Sequence, residues 1–179
     1  MDPSFDARKE LRRLESELRQ LRARLEPATT APAWRDTSHR FALRVGADRF
    51  AIRLDEVLEV VPMCQLAPYP EAPPWVAGLL NLHGALVPVL DLGARIHRRE
   101  RTVLATDFIV ATRYRSNTLG LVVTEACGVE PARADELQRV TDELPHAPYV
   151  VGYFESSGQM TFALNLEALL ATSDLPETP

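Results

Sequence analysis

The feature that most constrains this chain is an internal repeat. Residues 75–96 read WVAGLLNLHGALVPVLDLGARI and residues 149–170 read YVVGYFESSGQMTFALNLEALL; the two superimpose without a gap. Val76 falls on Val150, Gly78 on Gly152, Gly84 on Gly158, Leu90 on Leu164, Leu92 on Leu166 and Ala94 on Ala168. Trp75 falls on Tyr149, and Asp91 on Asn165, two residue types that cap helix N-termini. Each copy therefore reads as aromatic, strand, glycine turn, strand and capped helix. Glycines kept in register mark places where the backbone needs freedom that side chains deny. Two such copies predict two similar small β-barrels in one chain. Roughly 65 residues is too little for a robust independent core, so the barrels are expected to share a hydrophobic seam. A cleft between barrels would suit a partner's apolar helix or strand.

From Arg40 onward the hydrophobic period is two. Phe41, Leu43 and Val45 alternate with Ala42, Arg44 and Gly46, and Phe50–Leu54 reads as the returning strand. A β-branched run, Val57 to Val61, ends at Pro62, and Pro68, Pro70, Pro73 and Pro74 make residues 63–74 an extended loop. Further strands are expected at 76–82, 85–90, 107–115, 119–125, 150–154 and 159–164, with short helices after Asp91 and Asn165. The expected class is mainly β.

Residues 1–26 differ from all that follows. Leu11, Leu14, Leu18, Leu21 and Leu25 step by three and four, the a/d seam of a heptad, with Arg, Glu and Gln between them. Asp2-Pro3 reads as the start of an α-helix and Pro27 as its stop. Such a helix is marginal alone in water and needs something to lie against. Self-association or a partner coiled coil through residues 4–26 is the expected use, with a helix folded back on its own domain as the alternative, and the charges flanking the seam do not favour a parallel self-pair. Residues 27–39 read as a linker in which Trp34, the only large apolar group, is expected to dock on the adjoining domain. The domain itself is expected over 40–172, with a tail at 173–179.

No catalytic constellation emerges. His39, His83, His97 and His146 lack metal-ligand spacing, and no glycine-rich phosphate loop or nucleophile elbow is present. No catalytic residue, metal or cofactor is expected. Cys64 and Cys127 stand far apart and read as small apolar fillers. With 25 acidic against 20 basic residues the chain is a poor candidate for gripping nucleic acid, and the basic run at Arg95–Arg101 reads as a solvated loop. No apolar run reaches ~18 residues and the first residues are charged, which predicts a cytoplasmic protein without membrane insertion.

The stretch from Phe50 to Leu92 carries a recognisable pattern. Phe50-Ala51-Ile52, Val57-Leu58-Glu59-Val60, and Asn81-Leu82-His83-Gly84 followed by Val87-Pro88-Val89-Leu90-Asp91-Leu92 resemble the CheW-like domain of bacterial chemosensory systems. That family reads A-[IL]-x-[IL], V-x-E-[VI] and N-L-R-G-x-[IV]-[IVL]-P-V-[IVL]-D-L. The resemblance covers about residues 40–172 and implies two SH3-like five-stranded β-barrels and a non-enzymatic adaptor role. It implies two partners: the cytoplasmic tip of a chemoreceptor and the regulatory domain of a CheA-type histidine kinase. It places Val57 and Glu59 on a partner-contacting strand, and Asn81, Leu82, His83 and Gly84 in the turn beside the receptor surface. At His83 the family usually has Arg, so a planar fork of five donors becomes a ring that is mostly uncharged near neutral pH. The change reads either as a tolerated neutral substitution or as a partner switch, towards a receptor or kinase of a non-motility pathway. A second reading of the whole chain is an accessory or polar-localisation protein that uses a CheW-like surface and its helix outside the core array.

Overall fold

The central strands bury both of their faces here. The computed structural model describes Trp34 and residues 37–170 apart from 99–101, 142–143, 145 and 157. The helix expected over 1–26 with its leucine seam, the self-association assigned to it, and the tail at 173–179 lie outside those residues. The elements are β1 (His39–Val45), β2 (Asp48–Arg53), a 3-10 turn (Leu54–Glu56), β3 (Val57–Pro62), β4 (Val76–Leu82), β5 (Ala85–Asp91) and α1 (Leu92–His97). There follow β6 (Phe108–Tyr114), β7 (Asn117–Val123), β8 (Glu125–Pro131), β9 (Val150–Ser156), β10 (Gln159–Leu164) and α2 (Leu166–Leu170). Both helices start where the repeat placed caps: Asp91 Oδ1 accepts from the Ala94 N–H at 3.0 Å, and Asn165 Oδ1 from the Ala168 N–H at 3.1 Å.

The strands form two five-stranded sheets, ordered β8-β1-β2-β10-β9 and β3-β6-β7-β5-β4. In the first, β1 and β2 form a hairpin, β10 runs parallel to β2, and β9 is antiparallel to β10. The second repeats this with the β6–β7 hairpin, β5 parallel to β7, and β4 antiparallel to β5. The repeat thus runs through the whole domain, β1 to α1 matching β6 to α2. Each copy gives its first hairpin to one sheet and its last three strands to the other. Neither sheet is a contiguous stretch of chain, so neither copy can complete a core alone. Both sheets roll, because side chains on non-adjacent strands meet across them: Arg40 of β1 lies 4.4 Å above the ring of Phe154 in β9.

Alternation along the strands sorts side chains between two kinds of core. Phe50, Ile52, Leu90, Val110, Leu121, Val123, Phe162 and Leu164 enter one large cluster fed by both sheets, the expected shared seam. Their neighbours face inward within one sheet: Leu80, Val87, Val89, Ile109 and Val122 in the second, and Ala51, Phe154 and Ala163 with Trp34 in the first. Trp34 is 1% exposed, docked as expected. Arg95 lies 4.5 Å over Trp75 and 5.1 Å over Tyr149, so the aromatic that opens each copy packs on one guanidinium.

Three local expectations change. The strand read over 119–125 breaks at Thr124, and its continuation is a separate strand, β8, in the other sheet. Arg95 belongs to α1 rather than a solvated loop, donating to the Leu169 carbonyl at 3.0 Å. Cys64 is exposed and fills no core position.

Candidate partner-binding site

Three of the four residues of the Asn81–Gly84 segment build one tight turn between β4 and β5. His83 and Gly84 both take positive φ, 52° and 88°, the geometry of a two-residue turn whose twist matches its strands. The Asn81 side chain fixes it by accepting from the Gly84 N–H at 2.9 Å. Held this way, His83 reaches over to the opposite outer strand of the same sheet, where its Nε2 lies 2.8 Å from Glu59 Oε1. Strands β3 and β4 are the two edges of that sheet, so this contact bridges them side chain to side chain. Leu82 points inward, half-buried against Leu80 and its neighbours.

Val57 is placed differently from the rest. It opposes Thr112 and packs against the shared seam, on the far side of an irregularity in the β3–β6 register from Glu59. The exposed apolar groups of the outer strand are instead Leu58 and Val60, joined beside the turn by Leu86, 61% exposed. Sequence reasoning missed Leu58 and Val60, because Val57–Val61 is apolar at four of five positions and shows no alternation from which an outward face can be read. The assembled surface is an outer strand with two apolar side chains, a carboxylate and an imidazole. Such an edge can be recognised by shape and hydrocarbon contact; it holds no nucleophile and base arranged for chemistry. Among the described residues no group of three or more His, Cys, Asp or Glu is placed to hold a metal, and no helix is long and apolar enough to cross a membrane.

Glu56, in the turn that leads into β3, is pushed up to about 7. Burial is the main cause and outweighs the Arg53 guanidinium, 4.0 Å away and also bound to Asp55, whose own charge adds to the rise. The folded chain therefore binds a proton that the unfolded chain releases near 4.5, and stability falls as pH rises from about 4.5 through 7. Glu56→Gln is expected to flatten that decline and to stabilise the protein by about 1–2 kcal/mol at pH 8, the shift being discounted for partial solvent access. Urea midpoints of both proteins at pH 5 and pH 8 check this; equal losses in the two would contradict it.

The sequence profile of the CheW-like domain matches residues 41–174. The chain is similar to the probable chemotaxis protein CheW of Rhizobium etli, 25% identical over 136 residues covering 74% of this chain and 87% of that one. It is also similar to the chemotaxis protein CheW of Rhizobium meliloti, 24% identical over 135 residues with the same coverage. The crystal structure of the scaffolding protein TtCheW from Thermoanaerobacter tengcongensis superimposes with a TM-score of 0.71 at 20% identity, over 79% of this chain and 92% of that one. At that identity the superposition speaks for the fold.

Proposed function

Because the chain belongs to the CheW-like domain family, we propose that it is a non-catalytic cytoplasmic scaffold coupling chemoreceptor tips to the regulatory domain of a CheA-type histidine kinase. The observation that carries this reading is the outer strand β3. Its Leu58 and Val60 stand exposed beside a Glu59 that the His83 turn holds in place. Clustered apolar side chains framed by fixed polar groups are the usual make-up of a docking surface. Of the residues expected from the sequence, Glu59, Asn81, His83 and Gly84 form the proposed docking edge, with Leu58, Val60 and Leu86 as its apolar contacts, while Val57 and Leu82 support it from the buried side.

Titration calorimetry against a receptor signalling fragment and a kinase regulatory domain tests it. The wild-type protein is expected to bind both, and Leu58→Glu to weaken one of them at least tenfold, about 1.4 kcal/mol. No binding of either at ~100 μM, a ceiling of about 5.5 kcal/mol, would overturn the scaffold role in favour of recruitment outside the array. His83→Arg makes the charge opposite Glu59 permanent, and is expected to shift receptor affinity at least threefold. Identical affinities for both partners would dismiss the partner switch.

A further inference from the structure

The two rolled sheets are built alike, yet one encloses hydrocarbon and the other encloses charge. The repeat provides an internal control. Where the second sheet has Ile109 and Val87, the first has Arg40 and Thr161 at the matching strand positions; where it has Leu80 and Val89, the first has Phe154 and Ala163. Arg40 is 2% exposed and Thr161 fully buried. Because the same place in the same chain accepts apolar residues, the architecture does not require this polarity, which carries the desolvation cost of every buried charge.

Among the described residues the charges do not balance. Arg40 Nε donates to Glu130 Oε2 at 3.3 Å, and Arg49 donates through Nη2 to the other oxygen of the same carboxylate. Two guanidiniums thus share one carboxylate. Arg44 and Arg53, on the same face, have carboxylates of their own in Glu125 and Asp55, so the surplus positive charge stays with Arg40, Arg49 and Glu130. Four atoms in this interior are buried with no hydrogen-bond partner among the described residues: Trp34 Nε1, Arg40 Nη1, Arg49 Nε and Thr161 Oγ1. Three of them can only donate, and the hydroxyl can donate as well. Three of the four residues meet at the Phe154 ring, and Arg49 joins them through Thr161. Thr161 lies beside Arg49 in one ladder and beside Phe154 in the next, Arg40 lies over the Phe154 ring, and the Trp34 ring is centred 5.5 Å from it. The ring face attracts Arg40 but offers Nη1 no acceptor.

We propose that the interior of the first sheet binds the carboxylate of a small organic acid, held by Arg40, Arg49, Thr161 and the Trp34 indole. A donor-only set calls for a ligand that only accepts. One surplus positive charge calls for a monoanion, and guanidinium N–H groups pair with a planar carboxylate in good geometry. Trp34 and Phe154 provide an apolar wall for a short carbon tail, and Glu130, with a quarter of its side chain exposed, marks the way in. A phosphate group, with more than one negative charge near neutral pH, overcompensates the site.

The test uses the full chain with Trp75→Phe, which leaves Trp34 as the sole tryptophan. Sodium acetate and propionate are titrated at constant ionic strength against chloride, with melting temperature and tryptophan emission as readouts. The expected result is a saturable emission change together with a saturable rise in melting temperature of ~3 °C or more in the carboxylates alone. Thr161→Val, which installs the residue of the other sheet, is expected to weaken the response at least fivefold, and Arg40→Met to abolish it. Should Arg40→Met fail to fold, the isosteric Thr161→Val decides alone. A rise that never saturates, or that is equal in Thr161→Val, overturns the site as a general salt effect. A response to phosphate but not to acetate overturns the ligand class. No response in the wild-type protein overturns the proposal altogether.

Discussion

Trp34→Ala is expected to destabilise the protein by about 3–5 kcal/mol, seen as a fall in melting temperature of roughly 10 °C. The size follows from what the indole fills. Trp34 is 1% exposed and packs with Phe154, Ala51 and Ala163, the smallest of the three buried clusters. Two of those neighbours are alanines and cannot swing into the space an absent indole leaves. The matching interior of the second sheet needs no such insert, because Leu80, Val87, Val89, Ile109 and Val122 fill it from the strands themselves. Trp34→Phe keeps an aromatic ring against Phe154 and is expected to lose less than half as much. The family match begins at residue 41, yet on this argument the folding unit begins at Trp34. A chain starting at residue 40 loses the indole together with His39 of β1 and the Ser38 carbonyl that accepts from the Ala132 N–H, and is expected to melt at or below Trp34→Ala, whereas one starting at residue 30 keeps all three. If the chain starting at 40 melts like the full protein, the indole is an ornament of the linker.

Particular residues show what the sequence exposed and what it hid. The glycine pairs, the Asp91 and Asn165 caps and the aromatic at the head of each copy are local signals, legible because turn, cap and strand chemistry acts within a few residues. The exchange of strands between sheets was hidden. It rests on the parallel pairings of β2 with β10 and of β5 with β7, and nothing in a strand's own residues names its parallel neighbour. Strand β8 was hidden because Glu125, Gly128, Glu130 and Pro131 are weak strand formers, and its place comes from β1 alone. At the candidate site the turn residues were legible, whereas the contact of His83 with Glu59 joins residues 24 apart in sequence through the rolling of a sheet. Arg40 misleads most: an arginine at the start of a strand reads as solvent-facing, and here it is enclosed.

Gly152→Ala and Gly78→Ala are each expected to cost about 3 kcal/mol or more, by a mechanism the repeat itself reveals. Outside each β-strand that carries one of these glycines, a further segment crosses and pairs with the next residue. Ala67 exchanges both backbone hydrogen bonds with Leu79, at 2.9 and 2.8 Å, and Gln138 does the same with Tyr153, both at 2.9 Å. A Cβ on Gly78 would stand 2.6 Å from the Ala67 carbonyl oxygen, and one on Gly152 would stand 2.4 Å from that of Gln138. Neither covering segment can retreat without giving up paired backbone groups. Gly78 also has φ of +143°, which L side chains rarely adopt. Gly158 is the control, since a Cβ there meets nothing within 4 Å and alanine should cost only the ~1–2 kcal/mol of a left-handed turn position. Urea denaturation of the three variants separates the two causes. Gly152 sits within β9 at an ordinary φ, so equal losses in Gly152→Ala and Gly158→Ala would show that the crossing segment yields to a Cβ and is not what requires glycine there. Gly78→Ala carries a further consequence, because its covering segment includes Leu66, which packs against the same buried cluster as Leu82, the residue before the His83 turn. Its loss of stability should therefore be accompanied by weaker docking at the β3 edge, and Gly152→Ala, on the other sheet, should leave that docking unchanged at temperatures where both variants remain folded.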